Sequence, residues 1–396
     1  MDLKEGEVVD LRRVPADDLE VASDPVLLEA IRDEIERRGP MTFARFMEVA
    51  LYDPGRGYYR GADARPGRGG DFLTAPEMHP IFGRAIARFV DDVWLALGRP
   101  TPFTIREHGA GTGALIEAIL AGLEADGSGA LDALRYRAVE VAPARLAVVR
   151  ARLEGIGRDS ILEADGDEPI DGLILANEVL DAQPTHRVVA RAGELREVLV
   201  GLDEAGRLVD VEAPPTTPRL ADRLAAEDVV LADGQRAEIC LALDPWVERV
   251  AMGLGRGVVL LVDYGHPAAE LYLPTRRFAG TLVAYLRHQV HDDPYLAIGR
   301  QDLTAHVDVT AVERAGRAAG LDHLATVTQA RFLDRLGVGE ILVGYQAGPA
   351  ATLQAYLGAR AALVRMIDPA AMGRFRVIAF GRGLPKGRGL RGLEPG

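Results

Sequence analysis

A strand-like run that ends in a glycine turn constrains the fold of this chain more than any other feature of its sequence. The run 103–107 (FTIRE) has the pattern of a strand, and Gly109, Gly111 and Gly113 follow it just before a helical pattern. Glycine adopts positive φ values and lets a backbone approach a ligand closely, and the N-terminus of the next helix favours such a ligand. The turn therefore predicts a strand–turn–helix unit that binds a nucleotide-like group.

Strand-like and helical runs alternate after this turn, which indicates a parallel sheet with helices on both faces. Strands are predicted at 103–107, 136–141 and 173–176, and residues 186–213 interrupt the alternation with three strand-like runs typical of a meander. Four regions are expected: a helical N-terminal cap (1–100), a first part of the α/β core (101–185), an inserted β lobe (186–243), and the rest of the core with substrate-side helices (244–396).

Acidic residues near the turn indicate which nucleotide it could hold. The glycines alone also satisfy the dinucleotide fingerprint, and a tight turn without any ligand is a further alternative. Glu107, two residues before the first glycine, would repel a pyrophosphate but suits the ammonium group of an amino acid. Glu140 ends the next strand, where a carboxylate can bind both hydroxyls of a ribose, and Asn177 and Glu178 follow the third strand. Together these residues fit S-adenosylmethionine.

Four longer motifs carry a more specific resemblance. They are GDFLTAPE (70–77), NEVLDAQPTH (177–186), DYGH (263–266) and GTLVAYLRHQVHDDPYLAIGRQDLTAHVD (280–308). In order and spacing they resemble the MidA-like family of class I S-adenosylmethionine-dependent methyltransferases, which includes mitochondrial protein arginine methyltransferases. The resemblance implies an α/β fold with a Rossmann-like seven-stranded sheet, a helical N-terminal cap and an inserted β-rich lobe. It also implies S-adenosylmethionine as cofactor and a protein arginine side chain as methyl acceptor.

Two other functions stay open at this point. One is a methyltransferase with a small-molecule oxygen or nitrogen acceptor, and the other is a non-enzymatic assembly factor on a methyltransferase fold. The retained Glu107, glycine turn and Glu140 argue against the assembly factor, because a scaffold does not need them.

The residues expected to bind the cofactor lie in the turn, at the strand ends and in the GDFLTAPE motif. A Gly-rich segment before that motif (55–70) carries Tyr58 and Tyr59, and we expect it to form a lid over the cofactor with Asp71. Thr74 and Glu77 have the spacing of a helix capping box, which is an alternative use for both. The expected cofactor-binding set is Asp71, Thr74, Glu107, Gly109, Gly111, Gly113, Glu140 and Asn177.

Three residues after the third strand are expected to perform the chemistry: Glu178, Asp181 and His186. A guanidinium is a poor nucleophile because its pKa lies above about 12, so it stays protonated. Carboxylates can orient it through paired hydrogen bonds and accept the proton that it loses. His186 is a candidate proton relay, although a histidine that only hydrogen-bonds at a strand start is the commoner use.

Histidines and aspartates between 288 and 308 resemble a metal cluster, but no metal is expected because methyl transfer from a sulfonium needs none. His288 and His291 are spaced to share one face of a helix. Asp302 and His306 are expected to line the substrate site or to be hydrogen-bonded within the fold. The motif 263–266 ends a buried strand and is expected to line the acceptor pocket.

Composition limits the partners and the compartment. The net charge of −13 argues against a nucleic-acid or anionic-membrane partner, and the basic segment 374–391 is expected to be a solvated tail rather than a contact patch. The single cysteine excludes an internal disulfide and fits a reducing compartment. Since residues 1–7 resemble neither a signal nor a transit peptide, a cytoplasmic location is expected. A homodimer is left open.

Overall fold

The β-strands of the computed structural model form one large sheet and several smaller ones. The structure describes residues 12–13, 15, 19, 21–60, 73–347, 351–385 and 389–394. In chain order the strands are β1 (Arg12–Arg13), β2 (Met41–Thr42), β3 (Phe103–His108), β4 (Leu134–Val139), β5 (Leu162–Glu163), β6 (Ile170–Asn177), β7 (His186–Arg191), β8 (Glu194–Leu202), β9 (Leu208–Ala213), β10 (Arg236–Ile239), β11 (Leu254–Asp263), β12 (Gly265–His266), β13 (Val283–Leu286), β14 (Gln289–His291), β15 (Asp302–Thr304), β16 (Val307–Asp308), β17 (Asp322–Thr328) and β18 (Arg376–Arg382).

The large sheet has seven strands in the order β17-β18-β11-β6-β3-β4-β5. The five strands from β11 to β5 are parallel, and β18 runs antiparallel to both of its neighbours. Strands β3, β6 and β11 are buried along most of their length, as expected when helices cover both faces of a parallel sheet. The α/β fold of a class I methyltransferase, expected from the resemblance, is confirmed.

Helices cover both faces of this sheet. One face packs against a hydrophobic cluster that includes Phe82 and Phe89, and the other packs against a cluster that includes Trp246 and Val312. No helix in the described part of the chain combines the length and apolar character needed to cross a membrane. The helices are α1 (Pro25–Arg38), α2 (Phe43–Tyr52), α3 (Ala75–Met78), α4 (Ile81–Ala96), α5 (Ala114–Ala125), α6 (Ala130–Ala133), α7 (Pro143–Gly155), α8 (Arg219–Ala226), α9 (Leu243–Met252), α10 (Ala268–Leu271), α11 (Pro274–Arg277), α12 (Val309–Ala318), α13 (Gln329–Arg335), α14 (Val338–Ala347) and α15 (Leu353–Ile367).

The meander after β6 forms a second, antiparallel sheet in the order β10-β7-β8-β2, with β9 paired to β8. Strand β2 comes from the N-terminal cap, and Met41 pairs with Val200 of β8. The N-terminal cap and the inserted β lobe, which the sequence analysis treated as separate regions, therefore share one sheet. Strand β2 is short because Thr42 is the N-cap of α2, and its side chain accepts a hydrogen bond of 3.1 Å from the backbone N–H of Arg45.

The spacing of His288 and His291 permits a shared helix face, but the segment that carries them forms a hairpin instead. Strands β13 and β14 pair antiparallel, and β13 also pairs with β15. His288 lies in the turn of the hairpin at a φ of 62°, and His291 is in β14. An i, i+3 spacing fits a helix face but occurs equally across a tight hairpin turn, and the alternating apolar residues of β13 decide the outcome.

Candidate functional site: two cavities that share a wall

The glycine turn joins β3 to α5 with three residues in the left-handed region. The φ values of Gly109, Gly111 and Gly113 are 68°, 57° and 77°. A Cβ at Gly109 would lie 2.7 Å from Val179, and one at Gly113 would lie 3.4–3.5 Å from side chains and backbone of α7. At Gly111 the nearest atom would be 3.9 Å away. The first and third glycines thus permit close packing, whereas the second leaves open space beside the turn.

A cavity of about 620 Å³ lies over this turn and is called the glycine-turn cavity below. It is bounded by the carboxyl ends of β3, β4 and β6, which meet at one edge of the sheet. Of the residues expected to bind the cofactor, those that line it are Thr74, Glu107, Gly109, Gly111, Glu140 and Asn177. Gly113 faces α7 instead, and Asp71 lies outside the described residues. Tyr59 of the expected lid also lines the cavity, while Tyr58 is buried in the core.

Two carboxylates of the glycine-turn cavity are held in poorly solvated positions. Burial raises the pKa of Glu107 to about 8, even though the Tyr136 hydroxyl donates a hydrogen bond of 2.7 Å to it. Burial also raises the pKa of Glu140, which accepts a hydrogen bond from the backbone N–H of Gly111. Asn177 has a buried Oδ1 without a hydrogen-bond partner. The cavity therefore offers acceptors to a ligand that carries a cation and several hydrogen-bond donors.

The capping box, which was the alternative use of Thr74 and Glu77, does not form. Thr74 precedes α3, but its side chain makes no capping hydrogen bond. Glu77 instead accepts a hydrogen bond from the hydroxyl of Thr112, within the glycine turn. Both side chains line the glycine-turn cavity, because α3 packs against α5 rather than standing free in solvent.

A second cavity of about 350 Å³ adjoins the first and is called the carboxylate cavity. Its acidic side chains are Glu178, Asp181 and Asp302, and the two cavities share Tyr59 and Glu178 as wall residues. Asp181 and Asp302 are 6% and 3% exposed. The residues 264–266 and His306 also line this cavity, which is where the sequence placed the acceptor pocket.

The backbone after β6 presents Glu178 to both cavities. Glu178 has a φ of 53°, which is uncommon for a residue with a side chain, and its N–H donates to the carbonyl of Val262 at 2.8 Å. Asp263, at the end of β11, accepts hydrogen bonds from the backbone N–H groups of Val179 (3.1 Å) and Leu180 (2.8 Å). Asp263 lines neither cavity among the described residues and acts on the site through this loop.

The acidic side chains of the carboxylate cavity repel one another when they are ionised. Burial, with the nearby charge of Asp181 as the next cause, raises the pKa of Glu178 to about 8. Burial raises the pKa of Asp181 to about 6, although a hydrogen bond from Tyr264 opposes the shift. The Oδ1 atom of Asp181 has no hydrogen-bond partner, whereas Asp302 accepts a hydrogen bond of 2.7 Å from the hydroxyl of Tyr59. Such a cluster suits a ligand that is positively charged and rich in N–H donors.

His186 does not join these residues, which corrects its expected catalytic role. It begins β7, and its Nδ1 lies 2.7 Å from Oε1 of the fully buried Glu197 on β8. Neither cavity includes it among the described lining residues. The turn after Asp181 leads the chain into the second sheet, so His186 points toward its cross-strand neighbours rather than back to the site.

Several lining residues escaped the sequence analysis. Trp246 of α9 lines the glycine-turn cavity, and Tyr285 and Arg374 line the carboxylate cavity. Their elements reach the site only through tertiary packing, so no local pattern identified them. Among the described residues, no group of three or more potential ligands is placed to hold a metal ion.

Comparisons with known proteins identify the family and the fold. Residues 85–327 match the model of a family described as "Putative S-adenosyl-L-methionine-dependent methyltransferase". A crystal structure of a Burkholderia thailandensis protein bound to S-adenosyl-homocysteine is 36% identical, with a TM-score of 0.84 over 93% of this chain and 94% of that one.

Two curated relatives carry more specific names. Protein arginine methyltransferase NDUFAF7 of Homo sapiens is 29% identical over 81% of this chain and 75% of its own length. The homolog of Drosophila melanogaster is 27% identical over 89% and 84%. Both are named as mitochondrial proteins, which contradicts the cytoplasmic location expected from the sequence.

Proposed function

Because the chain belongs to the MidA-like family of S-adenosylmethionine-dependent methyltransferases, we propose that it methylates an arginine side chain of a protein. In this proposal the cofactor occupies the glycine-turn cavity and the guanidinium of the acceptor occupies the carboxylate cavity. The relatives named as protein arginine methyltransferases support the choice of acceptor.

The residues of the glycine-turn cavity fit S-adenosylmethionine. The open space at Gly111 admits a ligand against the turn, and Glu140 beside it can accept hydrogen bonds from two ribose hydroxyls. Glu107 and the unpartnered Oδ1 of Asn177 supply acceptors for an ammonium group. When bound, the cofactor supplies a methyl group on a sulfonium, whose positive charge suits the acidic wall formed by Glu178.

One observation carries the assignment of the acceptor: Glu178 belongs to both cavities, with further buried carboxylates behind it on the side away from the glycine turn. A guanidinium bound there would satisfy the free Oδ1 of Asp181 and offset the repulsion among the three acids. A neutral acceptor would leave that repulsion in place. The charge of the cavity therefore favours arginine over a hydroxyl acceptor.

Glu178 and Asp181 then have distinct tasks. Paired hydrogen bonds from the guanidinium to carboxylate oxygens orient one nitrogen toward the shared wall. As the new N–C bond forms, that nitrogen loses one proton, and Glu178 accepts it. A carboxylate with a pKa near 8 is a stronger base than an ordinary one, so its environment suits this task. The neighbouring Tyr264 favours the ionised form of Asp181, since it opposes the rise of the pKa of Asp181 that burial causes.

Isotope labelling tests the proposal. A lysate is incubated with the enzyme and S-adenosylmethionine labelled in its methyl group, and proteins and small metabolites are both analysed by mass spectrometry. Label on arginine residues of a protein supports the proposal, and label confined to small molecules or to other residues rejects it. The Glu178→Gln enzyme, checked for retained S-adenosylhomocysteine binding, is the matched control.

A further inference from the structure

The carboxylate cavity has a basic outer wall opposite its acidic interior. Arg365 of α15 and Arg374, two residues before β18, line it together with Glu178, Asp181 and Asp302. Asp181 and Asp302 are buried, whereas Arg374 is exposed. The charge of the cavity therefore changes sign between its interior and its mouth.

The positive charge at the mouth is only partly neutralised by the protein. Arg374 forms no hydrogen bond or ion pair with any residue that the structure describes. The pKa of Arg277 is lowered by burial first and then by the neighbouring charges of Arg374 and Arg276. Glu270, whose charge also acts on Arg277, is already engaged, since it lies 3.5 Å from the guanidinium of Arg376.

The two histidines near the mouth add no charge at neutral pH. Burial lowers the pKa of His306 to about 3 and, together with the charge of Arg277, also lowers the pKa of His266. The basic character of this wall therefore comes from its arginines. An exposed arginine that repels its neighbours and lacks a partner is well placed to bind an incoming carboxylate.

We propose that Arg374, with Arg365 beside it, selects acceptor segments in which an aspartate or glutamate flanks the arginine that is methylated. This inference rests on the proposed function and specifies its substrate class. The target guanidinium enters the acidic interior while the flanking carboxylate stays at the mouth. The α-carboxylate of free arginine offers the same pair of charges, but the exposure of Arg374 favours a chain that continues into solvent.

The test compares peptides of equal length that contain one central arginine flanked by glutamate, alanine or lysine. Methyl transfer from labelled S-adenosylmethionine is measured at several peptide concentrations, with free arginine as a further acceptor. Wild type should show a kcat/KM about three- to tenfold higher for the glutamate peptide than for the alanine peptide, as expected for an exposed ion pair at Arg374. The lysine peptide should be the poorest, and about 0.5 M salt should remove most of the difference.

Charge reversal gives the decisive arm. Arg374→Glu should make the lysine peptide a better substrate than the glutamate peptide. Arg374→Gln should make their kcat/KM values nearly equal. The control is Arg360→Glu, an exposed arginine on the same helix as Arg365 that does not line the cavity, and it should keep the wild-type order. Ratios between peptides cancel any general loss of activity in the variants.

Other results would overturn the inference in distinguishable ways. Equal use of all three peptides, or an unchanged order in Arg374→Glu, would refute acidic flank selection and leave arginine methylation standing. Free arginine methylated as well as the best peptide would refute a polypeptide acceptor. Absence of transfer to every arginine acceptor, by enzyme that still binds S-adenosylhomocysteine in calorimetry, would reject both this inference and the proposed function.

Discussion

The carboxylate of Asp263 accepts a hydrogen bond of 2.8 Å from the backbone N–H of Leu180, and thereby ties the end of β11 to the loop that carries Glu178. The same oxygen accepts from Val179 at 3.1 Å, and the other oxygen accepts from the N–H of Tyr264 at 2.8 Å. Asp263 is 3% exposed, so these N–H groups cannot turn to water instead. The position of Glu178 between the cavities thus depends on a residue that touches neither.

Replacing Asp263 should therefore impair turnover more than binding of the cofactor. Asp263→Asn keeps one accepting oxygen but brings a donor toward backbone donors, and kcat should fall about tenfold or more, with less change in cofactor affinity. Asp263→Ala leaves three N–H groups without their acceptor and should also destabilise the fold, by roughly 1–3 kcal/mol for the buried N–H of Leu180 and by less for the two half-buried ones. Steady-state kinetics with urea unfolding separates the effects. Loss of cofactor binding in step with kcat would instead indicate a general structural role.

The shared-wall carboxylates should matter for transfer and little for cofactor affinity. Glu178→Gln keeps the size of the side chain but removes its charge and basicity, so kcat should fall by roughly 10²–10⁴-fold. Asp181→Asn should raise the KM for the acceptor and lower kcat to a smaller extent. His186→Ala should cost stability by breaking the contact with Glu197 but leave kcat nearly unchanged. Similar mild effects from all three substitutions would place the acceptor elsewhere.

Cofactor affinity should respond to the glycine turn and to Glu140. Glu140→Ala removes a charged acceptor, and the Kd for S-adenosylhomocysteine should rise by about tenfold or more, since hydrogen bonds to charged groups contribute about 1.5–3 kcal/mol. Gly111→Val places a side chain in the open space beside the turn, at a φ of 57°, and should abolish binding. Calorimetry measures both, and circular dichroism checks the fold. Unchanged affinity in Glu140→Ala would place the ribose contact elsewhere.

Most of the residues predicted to bind the cofactor line one cavity, the glycine-turn cavity, because their positions follow from local sequence pattern. Glu107, Glu140 and Asn177 each lie at or just after the end of a parallel strand, and such ends meet at one edge of the sheet. The glycine turn has three residues at positive φ, and the three glycines in the sequence predict such a turn. Strand bounds shifted by a few residues without moving these side chains out of the site.

The lining of the carboxylate cavity could be predicted only in part, because segments far apart in the sequence form it. Tyr59 and Asp302 form a hydrogen bond across 243 positions of sequence, and no periodicity reports such a contact. Arg374 was expected to be part of a solvated tail, yet it lines the carboxylate cavity. Glu77 had the spacing of a capping box, but the neighbouring glycine turn offered the hydroxyl of Thr112 as a partner instead. In each case tertiary packing determined which of several locally possible contacts formed.

The raised pKa of Glu178 predicts a rise of activity with pH. The value near 8 means that most of this group is protonated at pH 6, where it can neither hold a guanidinium by charge nor accept its proton. The ionised fraction grows about tenfold for each pH unit below the pKa, so kcat/KM for the acceptor should climb from pH 6 and level off above about pH 8. In Glu178→Gln this rise of kcat/KM between pH 6 and pH 8, called the step below, should disappear.

Asp181 should set the position of that step, because its charge is the second cause of the raised pKa of Glu178 after burial. Asp181→Asn removes the charge, so the midpoint of the profile should move to lower pH even though the maximal rate is reduced.

The stability of the free enzyme should decrease over the pH range in which its activity increases. A carboxyl whose folded pKa is raised binds its proton more tightly than in the unfolded chain, so its contribution is complete at low pH and is lost as pH rises toward about 8. Urea unfolding between pH 5 and pH 8.5 should therefore show wild type losing more of its free energy of unfolding than Glu178→Gln does (up to about 4 kcal/mol). A profile that keeps its midpoint in Asp181→Asn, or a Glu178→Gln enzyme with the same pH-dependence of stability as wild type, would show that Glu178 does not titrate in this range.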